Sequence, residues 1–272
     1  MYEKIINIHG VPRSGTSWLG SIINSSPDVL YKYQPLFQRP IKGMISHEST
    51  KEELKDYFDI IYYFSDKEMS LSDETAKGLS PKFIIKKKNP NILVSKHVRH
   101  HYLVPHLLEN IDNLKIVGIM RNPCGVLNSW RCCDLPTYNP EWDFSEEWRF
   151  AQSKNQFRPE WYYGFHRWKE VAKLFLEMKK QYPSKFYLIQ YENMVVDLNS
   201  EVVKLFDFCE LEITDHTRDF CNLSQTKTVS DAHSVYRGKK DIFDWKEILD
   251  ETIVQSIYNE LKDTELEQFY FY

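Results

Sequence analysis

The chain has no apolar run approaching the ~20 residues that a membrane-spanning helix needs. Its first residues, Met1-Tyr2-Glu3-Lys4-Ile5-Ile6, show no basic stretch followed by an apolar one, so no secretory signal is expected. Cysteine is scarce. The five (Cys124, Cys132, Cys133, Cys209, Cys221) are odd in number and form no Cys-x-x-Cys, which fits free thiols and a cytoplasmic location. Neither sign of charge dominates: 35 Lys and Arg against 39 Asp and Glu leave a net charge of −4. That excludes a global basic field for nucleic acid or an anionic membrane, so any anion site must be local. With 9 Gly and 12 Pro in 272 residues, there is no collagen-like or linker-like tract, and no internal repeat is seen. What is present is a hydrophobic share of 42%, enough to exclude disorder, and an aromatic share of 15%, which suits a core plus a ligand groove.

Hydrophobic patterning alternates strands with helices. Lys4–His9, Val29–Tyr33, Asn91–Lys96, Leu114–Met120 and Phe186–Tyr191 read as strands. Thr16–Asn24, Lys51–Phe64, Val98–Ile111, the stretch after Pro123 to Trp130, Tyr162–Gln181, Ser200–Phe208 and Trp245–Leu261 read as helices, the third with Pro105 inside it. Residues 131–160 read as irregular. The expectation is one α/β domain over residues 1–272, a central parallel sheet flanked by helices.

The strongest local signal lies between the first strand and the first helix. Gly10-Val11-Pro12-Arg13-Ser14-Gly15-Thr16-Ser17 has the spacing of a phosphate-binding loop, in which backbone N–H groups and a helix N-terminus surround an anion. A Walker loop places lysine where this chain has Thr16. The cation, Arg13, comes from inside the loop, which argues against an ordinary ATP-dependent kinase.

Val11-Pro12-Arg13-Ser14-Gly15-Thr16-Ser17-Trp18 resembles the 5′-phosphosulfate loop of sulfotransferases that use 3′-phosphoadenosine 5′-phosphosulfate (PAPS). Arg121-Asn122-Pro123, followed by Ser129, resembles the family's 3′-phosphate site. Tyr236-Arg237-Gly238-Lys239-Lys240 resembles its late Arg/Lys/Gly loop, though in a different residue order, and Tyr191-Glu192-Asn193-Met194 its middle Tyr-Glu segment. The resemblance implies the P-loop-like sulfotransferase fold. It implies a donor site of Arg13, Ser14, Gly15, Thr16, Ser17, Trp18, Arg121, Ser129, Tyr191, Arg237, Gly238 and Lys239, with Trp18 as the adenine platform. The physics is consistent, because three anionic groups on the donor want several fixed cations and donors in a chain acidic overall.

For the chemistry, Arg13 is expected to face the leaving oxygen, and Lys96 resembles the family's second-strand lysine. The segment from Asp28 to Leu36 resembles the carbohydrate branch, which has Glu before the proline. Here that position is Gln34, which cannot take a proton usefully. The phenol and steroid branch has a histidine after Lys-Thr or Lys-Ser. In Ser95-Lys96-His97-Val98 the histidine comes one place early. His97 is the expected base, with His9, His47, His100 and His101 as alternatives. His97, His100 and His101 cluster without a completing cysteine or carboxylate, so no metal is expected.

The acceptor is expected to be a hydroxyl, or less readily an amine, of a saccharide or polar small molecule. Gln34, Trp142 and Trp148 are candidate contacts, the last two within an aromatic, acidic segment that either caps the acceptor or packs onto the core. Two rival readings remain: a P-loop nucleotide-dependent kinase, and a catalytically inactive adenosine bisphosphate-binding protein of the same fold. The sequence does not fix the oligomeric state.

Overall fold

The computed structural model describes residues 2–64, 66–131, 143–238 and 241–270. Five strands, β1 (Lys4–His9), β2 (Val29–Tyr33), β3 (Ile92–His97), β4 (Leu114–Met120) and β5 (Phe186–Gln190), form one parallel sheet in the order β2-β3-β1-β4-β5. Helices α1 (Thr16–Asn24), α2 (Lys51–Tyr63), α3 (Ser72–Ala76), α4 (Val104–Asn110), α5 (Pro123–Arg131), α6 (Phe144–Phe150) and α7 (Gln152–Asn155) follow in chain order. Then come α8 (Gly164–Gln181), α9 (Tyr191–Val196), α10 (Leu198–Cys209), α11 (Asp215–Thr226) and α12 (Glu251–Leu261). The expected α/β architecture is observed.

The sheet is apolar on both faces because each is covered, as parallel sheets require. Ile6, Ile8, Val94, Val117 and Ile119 pack against Leu19, Ile22 and Ile23 of α1 and against α10. Ile5, Leu93, Leu114 and Ile116 pack on the other side against α2, α4 and Phe175 of α8. At ~25 cal/mol per Å² of apolar surface, these two cores dominate the stabilisation.

The helix expected over Val98–Ile111 is shorter. A 3₁₀ turn at His101–Leu103 precedes α4, and Pro105 sits in the first turn of α4, where its missing N–H and fixed φ cost nothing. The expected Trp245–Leu261 helix is likewise split, by the Asp250 cap that starts α12. Helices α6 and α7 lie in the stretch read as irregular. No described helix is long and apolar enough to cross a membrane.

β1 is central, with β3 on one side and β4 on the other, so the chain reverses its winding there. Crevices at the C-terminal ends of strands at such a switch point are where ligands bind in open α/β sheets. The loop Gly10–Gly15 leaves β1 at that point.

Candidate active site

A cavity of about 560 Å³ opens over the C-terminal ends of β1, β3 and β4. The loop after β1 forms its floor. Arg13 (φ 75°) and Gly15 (φ 93°) both take left-handed backbone, which turns successive amides toward one centre. A Cβ on Gly15 would lie 2.7 Å from the Tyr191 ring, so glycine is required for space as well as for φ. No side chain caps the start of α1, leaving its first-turn N–H groups for an anion. The Ser14 hydroxyl is buried with no protein partner, an orphaned donor beside the same centre. These features fit a phosphosulfate.

Arg121 and Ser129, expected to hold the 3′-phosphate, both line this cavity. The Arg121 guanidinium lies 4.7 Å from the Tyr191 ring centroid and donates to the Arg13 carbonyl at 3.2 Å. The Arg121 carbonyl accepts from Trp168 Nε1 at 2.9 Å, and the buried Glu192 carboxylate accepts from the Asn122 amide at 2.9 Å. Burial raises the Glu192 pKa above the usual carboxylate value. Its place in the Tyr-Glu segment is therefore to anchor the end of β4. Arg13 Nε donates to Ser129 Oγ at 3.1 Å, tying the loop after β1 to α5. Trp18 lines the cavity with its indole N–H donated to Ser224 Oγ at 3.0 Å, which fixes the ring plane. Arg237 and Gly238 close the wall from the far end of the chain. There Arg237 bridges to Thr228, and a Cβ on Gly238 (φ 63°) would meet the Thr228 hydroxyl at 2.5 Å. Lys239 and Trp142 lie outside the described residues.

At the end of β3 the two-residue period of the strand decides which side chains reach the cavity. Lys96 faces the α1 side and lines it; His97 does not. Here the expectation for His97 is corrected. It is 4% exposed, stacks on His9 with centroids 4.9 Å apart and shares a hydrogen bond with Ser95 Oγ at 2.9 Å. His9 and His97 are register partners across β1 and β3, and His9 Nδ1 meets His101 Nδ1 at 3.1 Å. Burial foremost, then the neighbouring histidines, pushes all three below the ordinary value of 6.5. The side chain one place after His97, Val98, is the one on the cavity wall. Trp148 is corrected too: it packs against Phe165 of α8, ring centroids 5.9 Å apart, and is not on the wall.

The group missed from the sequence is Tyr33. It lines the cavity with Lys96 Nζ 4.3 Å from its ring centroid. The Lys96 charge draws the phenol below 10 against the effect of burial, with smaller hydrogen-bonding contributions from Gln34, Ser17 and Lys96. Burial lowers Lys96 in turn, partly offset by Tyr33. The Gln34 amide donates to the Lys96 carbonyl at 2.9 Å, holding Gln34 in left-handed backbone (φ 45°) at the cavity edge. The signal for Tyr33 was its position at the end of β2, beside Lys96 in the β2–β3 register. Among the described residues no group of three or more His, Cys, Asp or Glu could hold a metal ion.

A parallel sheet with a glycine-bounded loop at its switch point and arginines on the crevice wall is the architecture of an α/β protein suited to an anionic ligand. A family model described as the sulfotransferase family matches residues 6–215, so the chain belongs to that family. Solved structures share the fold. A mouse sulfotransferase, SULT7A1, complexed with PAP, is 17% identical at a TM-score of 0.57, with 98% of this chain and 86% of that one covered. A retinol dehydratase in complex with androsterone and inactive cofactor PAP is 16% identical at 0.57, with 98% and 83% covered. The sulfotransferase domain of the Synechococcus PCC 7002 olefin synthase is 15% identical at 0.54, with 100% and 96% covered. No curated protein sequence matches significantly.

Proposed function

We propose that residues 1–272 act as one catalytic unit that transfers the sulfonate of PAPS to a hydroxyl, or less readily an amine, of a small polar acceptor, saccharides included. The observation that carries this is the one cavity whose wall brings together Arg13, Gly15, Thr16, Ser17 and Trp18 of the loop with Arg121, Ser129, Tyr191, Arg237 and Gly238; Ser14 lies buried just behind that wall. The PAP named for the related structures supports the same donor. The loop amides and Ser14 would hold the 5′-phosphosulfate. Arg121 and Ser129 would hold the 3′-phosphate, with Arg237 and Gly238, and Lys239 beyond them, closing over it. Trp18 would present a ring to the adenine. No residue in this scheme calls for a metal.

Sulfuryl transfer needs position and charge stabilisation more than covalent help. Arg13 and Lys96 stabilise the negative charge that develops on the leaving oxygen as the S–O bond to the 5′-phosphate breaks. Arg13 does so electrostatically, since a guanidinium cannot give up its proton. Tyr33 stands where the acceptor enters. As its phenolate it takes the acceptor proton while the new O–S bond forms. Gln34 orients the acceptor. The missing family Glu and the displaced His are thereby replaced by a phenol that a buried lysine keeps acidic.

Calorimetry with PAP and with 5′-AMP tests the donor reading. PAP should bind at least tenfold more tightly, and Arg121→Met should remove most of that advantage, since a charge-assisted hydrogen bond contributes roughly 1.5–3 kcal/mol. Equal affinity of the two nucleotides would refute the 3′-site.

A further inference from the structure

The cavity continues past Lys96 and Tyr33 to Phe37, Gln38, Arg99 and Tyr163, a part that the donor site does not use. Arg99 is unusual there. It is 9% exposed, and its guanidinium carbon lies 4.1 Å from the Phe37 ring centroid and 4.0 Å from that of Trp161. Its Nε is buried without a hydrogen-bond partner, and no carboxylate among the described residues forms an ion pair with it. A buried cation without an ion-pair partner in contact is costly, by several kcal/mol, and stacking on aromatic faces returns only about 0.5–2 kcal/mol.

The surroundings deepen the deficit. Lys154 stands 4.8 Å from the Trp161 centroid and 5.1 Å from that of Tyr163, and Arg158 stands 6.0 Å from that of Trp161. Burial, with the charge of Arg99, lowers Lys154 to about 8. Glu160 is the acidic side chain whose field reaches Arg99. Lys96 feels repulsion from Arg13 and from Arg99 alike, so the three cations share one end of the cavity. Elsewhere the wall carries Glu68, Asp73 and Glu74 together with Lys77. Contact with the two rings restricts the side chain, and the planar guanidinium fork is suited to bidentate pairing with an oxyanion.

We propose that Arg99 is the acceptor-side anion subsite, and that the acceptor is a hydroxylated or aminated molecule carrying a carboxylate or another oxyanion group. This deepens the sulfotransferase reading above and rests on it. The oxyanion pairs with the Arg99 fork between Phe37 and Trp161, which leaves the nucleophile of the same molecule facing Lys96 and Tyr33.

Matched probes test it: 4-hydroxyphenylacetate against its methyl ester, glucuronate against glucose, and O-phosphoserine against serine. Binding is measured by calorimetry on the full chain with and without saturating PAP, for the wild type, Arg99→Met and Arg99→Lys. At least one charged member should bind tenfold or more tightly than its neutral partner. Arg99→Met should abolish that preference while PAP affinity stays within twofold, and Arg99→Lys should keep part of it. The pair that responds separates carboxylate from phosphate. Three results overturn the proposal: charged and neutral members binding alike, no charged probe binding, or a preference that survives Arg99→Met. If PAP itself fails to bind, the donor reading falls, while the nucleotide-free comparison still judges Arg99.

Discussion

Acidification between pH 6.5 and 4.5 should weaken the fold through the imidazoles of His9, His97 and His101. The structure keeps all three neutral, and His101 is lowered to about 3. Below pH 6.5 the unfolded chain binds protons that the folded chain refuses, so stability falls as pH drops from 6.5 toward about 3. One pKa unit corresponds to 1.36 kcal/mol; with the unfolded imidazole half protonated at pH 6.5, His101 alone costs about 2.3 kcal/mol between pH 6.5 and 4.5. A domain of this size loses roughly 2–4 °C of Tm per kcal/mol, giving a drop on the order of 5–9 °C. The charges of Lys96, from the other side of the sheet, and of His100 oppose its protonation further. Thermal unfolding followed by circular dichroism at pH 7.5, 6.5, 5.5 and 4.5 reads the slope, and His101→Phe should flatten it. A flat profile between 6.5 and 4.5 in the wild type, or an unchanged slope in His101→Phe, would refute the reasoning. A histidine open to solvent as a base would add no such slope.

Other outcomes follow from the same geometry. Tyr33→Phe should lower turnover by roughly two to four orders of magnitude with PAP affinity retained, and wild-type turnover should rise with pH toward the lowered phenol pKa. His97→Gln should keep turnover within a few fold once its lower Tm is allowed for, because its ring touches His9 and Ser95 and not the cavity. Gly15→Ala should abolish PAP binding and lower stability by about 1–3 kcal/mol, read by calorimetry and by denaturant unfolding, since the new methyl meets Tyr191 at positive φ.

The fold and the residues that gather on the cavity wall were legible because their signals are local. A glycine spacing, an arginine inside a loop and an Arg-Asn-Pro at a strand end each carry their chemistry within a few residues. The acceptor side was not, for reasons of register and topology. Lys96 and His97 are neighbours in the chain but face opposite sides of the sheet, and the sequence alone did not say which side held the cavity. Tyr33 acquires its acidity from Lys96 on the adjacent strand. Arg99 acquires its setting from Phe37 and Trp161, which lie 62 and 62 residues from it in opposite directions along the chain. The aromatic segment split between roles: Tyr163 lines the cavity and Trp161 packs on Arg99, whereas Trp148 belongs to the packing against α8. The helices after β5 were missed in part because α9 begins directly at Tyr191, with no loop or side-chain cap to announce it.

The central claim is sulfonate transfer from PAPS, and it is tested most directly by following the sulfur. The protein is incubated with ³⁵S-labelled PAPS and a pool of hydroxylated and aminated carboxylates, without added metal or ATP, and products are separated by mass. Labelled organic sulfate or sulfamate should form in equal amount with PAP, and both products should be lost in Arg13→Ala. PAPS left intact across the pool, or transfer that requires ATP and Mg²⁺ and moves phosphorus instead, would contradict it.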